Sequence, residues 1–282
     1  MIRISQIKME LFHKEEEIKK AAAKLLHLDY SVISDFLIER RSIDARKKPK
    51  LYFVYSVYLS LKGVNEEKLV KKLRSKDIVL TAPVRYKAPE LPLEIEGMAR
   101  EEYFQKEENR PVIIGFGPAG MFSGLLLARA GLRPIIYERG QAVEKRQEAV
   151  TRLWMEGKLD PNSNPQFGEG GAGTFSDGKL NTLVKDSCGR SRFVLETFVH
   201  YGAKEEILYD AKPHVGTDAL ISIVASLRKE IESLGGEVRF ESQYHFEKHE
   251  KRPLIIAIGH SARDSFRELH ALGYPMIAKD FA

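Results

Sequence analysis

The chain has almost no cysteine. Cys188 stands alone among 282 residues, so no internal disulfide can form and chemistry through a C-x-x-C dithiol is excluded for the chain by itself. No His/Cys cluster has structural zinc spacing, and no metal site is expected. Long hydrophobic runs are also missing. No stretch reaches the ~18 uninterrupted apolar residues that a membrane span needs, so no membrane partner is expected. The N-terminus, with Arg3, Lys8 and the Glu15-Glu16-Glu17 run, lacks the pattern of a secretory signal. Internal repeats and low-complexity tracts are absent. What remains is 43% hydrophobic and 30% charged, the composition of a globular protein; with one cysteine, a cytoplasmic location is expected.

The net charge of +5 is unevenly placed. Residues 1–100 hold 21 Lys/Arg against 14 Asp/Glu, a net +7, and the remainder of the chain is slightly acidic. A basic first third can mark nucleic acid or an acidic partner. Much of the excess lies in Arg46-Lys47-Lys48-Pro49-Lys50, which reads as a solvated hairpin tip, so nucleic acid is not the expected partner.

The first hundred residues read as strand, helix, strand, strand, helix, strand. Residues 2–9 alternate through Ile2, Ile4 and Ile7. Glu15 to Leu26 carries a helical stripe at Ile18, Ala21, Ala22, Leu25 and Leu26. A strand over Phe36 to Ala45 is joined by the Lys-rich tip to Leu51–Leu61, where Leu51, Phe53, Tyr55, Val57, Leu59 and Leu61 share one face. Asn65 caps a second helix through Leu73, and Ile78-Val79-Leu80 is a short strand. The order suggests a ferredoxin-like α+β domain over 1–95. Pro83, Pro89, Pro92 and the charged run Glu101–Arg110 suggest a linker, placed at 96–110.

From Pro111 the sequence reads PVIIGFGPAGMFSGLLLARAGLRPIIYERG. Val112-Ile113-Ile114 is a buried strand, and Gly115, Gly117 and Gly120 form G-x-G-x-x-G at the start of a helix that stops near Gly131. Ile135-Ile136-Tyr137 is the next strand, ending in Glu138, 18 residues after Gly120. The three glycines permit, in turn, the tight turn, close approach to a pyrophosphate, and close packing of helix on strand. The helix N-terminus offers free N–H groups to phosphates. A carboxylate at Glu138 accepts ribose hydroxyls and repels a 2′-phosphate, so FAD or NAD is expected rather than NADP. Pro118 and Ala119 complete the turn. A second glycine cluster, Gly168 to Gly173, follows no buried strand and leads into no helix. No second dinucleotide domain is expected, and NAD(P)H would visit only transiently.

Three segments are more specific. QFGEGGAGTFSDGKLNT (Gln166–Thr182), KPHVGTD (Lys212–Asp218) and IIAIGHSARDSF (Ile255–Phe266) resemble hallmark segments of a bacterial flavoprotein family labelled FAD-dependent or FAD-utilising dehydrogenase. SIDARKK (Ser42–Lys48) resembles that family's leading α+β domain. The resemblance implies an α/β, Rossmann-like FAD-binding domain of the glutathione-reductase type over 111–282, with FAD as cofactor. By it, Gly115, Gly117, Gly120 and Glu138 hold the ADP half with Arg139 beside the ribose. Gly170, Gly171, Ala172, Gly173 and Thr174 pass near the pyrophosphate and flavin ring. Lys179, following Asp177, either stabilises reduced flavin or belongs to a loop ion pair. Gly259 ends a strand that returns under the cofactor. Arg263 meets either a phosphate or Asp264. His214 and His260 are candidate proton donors, structural roles being the expected ones.

Family members carry a longer hairpin where only Glu241 to Pro253 intervene here, and they continue past the point matching Lys279–Ala282. The chain therefore looks like a shortened member, its FAD domain incomplete, and weak FAD retention or no turnover is an expected consequence. The function expected is hydride transfer through flavin N5 to or from an organic substrate the sequence does not name. The alternative is a non-catalytic binding protein whose basic first domain meets RNA or an acidic partner.

Overall fold

The computed structural model describes residues 1–47, 49–176, 178–180, 185–248 and 251–279. Asp177, and Lys48 of the hairpin tip, lie outside the described residues. The fold is mixed α/β, with eight α-helices among the described residues. No helix among those residues is long and apolar enough to cross a membrane. The chain divides into two compact units: Met1–Lys87, Lys179–His200 and Lys204–His214 form the first, and Ala88–Gly178, Tyr201–Ala203 and Val215–Ala282 the second.

The first unit begins with β1 (Ile2–Met9), α1 (Glu15–Leu25), β2 (Ile33–Lys47), β3 (Lys50–Leu61), α2 (Glu66–Leu73) and β4 (Ile78–Leu80). The strands form one antiparallel sheet in the order β2-β3-β1-β4. The alternating residues Ile2, Ile4, Tyr55, Val57, Leu59 and Leu61 point to one face, where Ile18, Ala22 and Leu26 of the α1 segment close over them. Leu51, on the same alternation, is 39% exposed. Three glutamates in the first turn of α1 suit the positive end of its dipole, and Glu17 accepts the Lys14 backbone N–H at 2.8 Å. Asn65 caps α2 by accepting the Lys68 N–H at 2.9 Å.

The second unit opens with a small hairpin, β5 (Glu94–Ile95) and β6 (Met98–Ala99), and a single turn, α3 (Arg100–Tyr103); β6 and α3 fall in the stretch that reads as a linker. Then come β7 (Val112–Ile114), α4 (Pro118–Arg129), β8 (Ile135–Tyr137) and α5 (Val143–Glu156). Next in the chain, α6 (Arg190–His200) belongs to the first unit. The second unit resumes with α7 (Thr217–Ser233), β9 (Glu237–Arg239), β10 (Leu254–Ile256) and α8 (Arg263–Ala271). Its four strands are parallel, in the order β10-β7-β8-β9. β7, β8 and β10 are short and apolar, whereas β9 at the edge of the sheet is Glu237-Val238-Arg239. Helix α7 packs against both α4 and α5. Val112 and Ile114, the alternate residues of β7, pack with Phe246 and with Leu269 of α8.

The segment Lys204–His214 gives no sign in the sequence of belonging with the first hundred residues. Main-chain bonds carry it there: the Arg41 N–H donates to Tyr209 O at 2.6 Å and the Ala211 N–H to Arg41 O at 3.1 Å. The Arg41 guanidinium grips Asp210 through two bonds, at 2.6 and 2.9 Å, and lies over the Phe53 and Tyr209 rings. Arg41 lies on β2, an outer strand of the sheet, so Asp210 is held at the sheet edge.

Candidate functional site

The site grows from the turn between β7 and α4. Gly115 has φ +96°, a conformation L side chains avoid, and a Cβ there would stand 2.5 Å from Ala257 O. A Cβ on Gly120 would overlap the Gly115 carbonyl oxygen, so only glycine lets the helix start this close to the strand. α4 therefore begins at once, with Gly117 at its N-cap and Pro118 in its first turn, and with no side-chain cap. Its first-turn amides are the partial positive charge of the helix.

This turn walls a cavity of 410 Å³ within the second unit, beside the carboxyl ends of β7, β8 and β10. Of the residues singled out from sequence, Gly115, Gly117, Pro118, Ala119, Glu138 and Arg139 line it. So do Gly171, Ala172, Gly259 and His260. Gly120 is buried beneath the turn. Gly170, Gly173 and Thr174 do not line the cavity; the Gly170 N–H instead ties its loop to the turn through Phe116 O at 2.9 Å, and Thr174 is buried. Arg263 is exposed and outside the lining. Lys179 and His214 belong to the first unit, where they face each other in an isolated antiparallel bridge.

Glu138 is 5% exposed and carries three main-chain hydrogen bonds. Its Oε2 accepts the Phe116 N–H at 2.7 Å; its Oε1 accepts the Gly140 N–H at 2.8 Å and the Gly168 N–H at 3.1 Å. The carboxylate thus fastens the glycine turn, the residues after β8 and the glycine loop to one another. The sequence picks out this acid by its place at the end of the strand, but carries no signal for those three donors.

Arg139 donates to both Asp264 oxygens, at 3.0 and 2.9 Å, and to Ser265 Oγ at 3.0 Å, with its guanidinium over the Phe167 ring. Asp264 is therefore the partner of Arg139. Burial alone would raise the Asp264 carboxyl, but bonds from Arg139 and the Ser265 backbone hold it below the ordinary value.

Behind the cavity lies a buried ionic group that sequence reasoning missed. Arg146 of α5 is fully buried and donates to the carbonyl oxygens of Asn164 at 3.1 Å, Pro165 at 3.2 Å, Gly168 at 3.4 Å and Glu169 at 2.5 Å. Burial lowers its pKa to about 10, so it stays charged at neutral pH. Glu169, also fully buried, accepts the Val143 N–H at 2.7 Å and lies 3.1 Å from Arg228 Nε. The only sequence signal for Arg146 is its place on the apolar stripe Val143, Arg146, Ala149, Val150, where a charge needs partners.

Burial pushes the Glu169 carboxyl up to about 7, outweighing the Val143 amide and Arg228. A carboxyl raised in the folded state gives stability that is complete below its unfolded pKa and is lost as pH rises through the folded one. Chemical unfolding is thus expected to show roughly 1–3 kcal/mol lost between pH 5 and pH 8. Glu169→Gln should flatten that slope. An identical slope in the variant would place the titrating group elsewhere.

Similarity to known proteins appears in two places. A family model described as a domain of unknown function (DUF8436) matches residues 1–60, which take in β1, α1, β2 and nearly all of β3. An uncharacterized protein of Clostridium beijerinckii (strain ATCC 51743 / NCIMB 8052) is 42% identical over 296 residues, an alignment covering 100% of this chain and 53% of the relative. The chain spans about half the length of the curated relative it matches.

Proposed function

We propose that this chain is an FAD-binding flavoprotein whose second unit is a Rossmann-like domain holding the ADP half of the cofactor. The observation that carries the reading is the uncapped N-terminus of α4 beside a cavity at the carboxyl ends of parallel strands. The strand order adds support. β7 has β8 on one side and β10 on the other, and open parallel sheets bind ligands where the connection changes direction. The order β2-β3-β1-β4 likewise supports a ferredoxin-like reading of the first unit.

The residues present fit a dinucleotide. Gly115, Gly117 and Gly171 line the cavity without side chains, which lets a diphosphate approach main-chain N–H groups. The segments Gln166–Thr182 and Ile255–Phe266, which resemble those of FAD-dependent dehydrogenases, both contribute to the lining. When bound, a flavin would supply hydride transfer at N5. The chain's own part is to orient the cofactor through the glycine turn. Of the candidate proton donors, His260 is the one that lines the cavity. The organic substrate is one whose oxidation or reduction moves a hydride, and a cytoplasmic, cofactor-loaded protein is the form proposed.

Calorimetry tests the cofactor. FAD is expected to bind at least about tenfold more tightly than FMN, because the turn engages the ADP portion that FMN lacks. Equal affinities would overturn the assignment.

A further inference from the structure

A carboxylate has about four acceptor positions. Three of those on Glu138 are filled by the main chain: Gly140 and Gly168 at Oε1, and Phe116 at Oε2. The donors come from three separate segments, and the residue is nearly buried. A ribose hydroxyl displacing any of them would leave an amide without its acceptor, a loss that offsets the bond gained. Arg139, the neighbouring charge in the lining, donates through Nη2 to Asp264 and Ser265.

We propose that Glu138 accepts at most one ribose hydroxyl, so the cavity does not require both the 2′- and the 3′-hydroxyl of the nucleotide it holds. This rests on the reading that the cavity takes the ADP half of a dinucleotide. An acid whose oxygens were free would bind both hydroxyls and penalise the loss of either. Here the carboxylate is chiefly a tie between turn and loop, and selectivity must come from the phosphates and the base. At least one ribose position is then open to change at little loss of affinity.

Calorimetric titration of the intact chain with ADP, 2′-deoxy-ADP and 3′-deoxy-ADP decides the matter. At least one deoxy nucleotide is expected to bind within about threefold of ADP. If both bind about tenfold or more weakly, each hydroxyl has a charge-assisted bond and the proposal is overturned, while the dinucleotide reading stands. If none of the three binds at millimolar concentration, both fall together.

Discussion

Arg146→Ala is expected to lower the unfolding free energy by about 3–5 kcal/mol, from buried carbonyls left without a donor and the void left by the side chain. The guanidinium donates to four carbonyl oxygens spread over residues 164–169. Those carbonyls belong to a loop with no regular secondary structure of its own, so they have no strand or helix partners to fall back on. The side chain also lies over the Phe175 ring, and its removal leaves a void where there was dense packing. Arg146→Met keeps the length and removes only the donors, so it separates hydrogen bonding from volume. Denaturant midpoints for both variants provide the measurement. If Met restored full stability, the loop carbonyls would be shown to need no donor. Lysine is not a substitute, because one ammonium cannot reach four oxygens that a planar fork spans.

Glu138→Ala should cost about 2–4 kcal/mol, even with no ligand present. It strips the acceptor from three amides at once, those of Phe116, Gly140 and Gly168. Water entering from the adjoining cavity can satisfy part of the loss, which keeps the figure below the sum of three separate penalties. Glu138→Gln is expected to recover little, since its NH₂ group must face N–H donors. The check is unfolding of the ligand-free variants. A ribose-only role predicts wild-type stability and weaker nucleotide binding; a tie within the protein predicts lower stability first. Wild-type midpoints in both variants would rule out the tie.

Much of the fold is legible in side-chain patterning. Alternation marks β1 and β3 because one face of their sheet is covered. The glycine spacing locates β7, α4 and β8 because backbone contact at Gly115 and Gly120 permits nothing larger. Asn65 marks the start of α2 because a short amide side chain meets an orphan N–H. Harder to read is whatever depends on distant main-chain groups. Arg146 stands out only by its place on the apolar stripe of α5; its partners, the carbonyls of residues 164–169, carry no side-chain signal. Glu138 is legible as a strand-end acid, but its partners are amides, which every residue except proline has. The apolar run from Ile255 to Gly259 reads as longer than β10, because β10 stops where Ala257 meets the Gly115 turn.

The Arg41–Asp210 clasp has a consequence for synthesis. Its two residues are 169 positions apart. At ribosomal rates of about 5–20 residues per second, β2 waits roughly 10–30 s for the segment that lies on its edge. During that interval an outer strand of fifteen residues presents unpaired N–H and C=O groups to every neighbouring nascent chain. Any fragment ending before Tyr209 keeps that edge bare permanently.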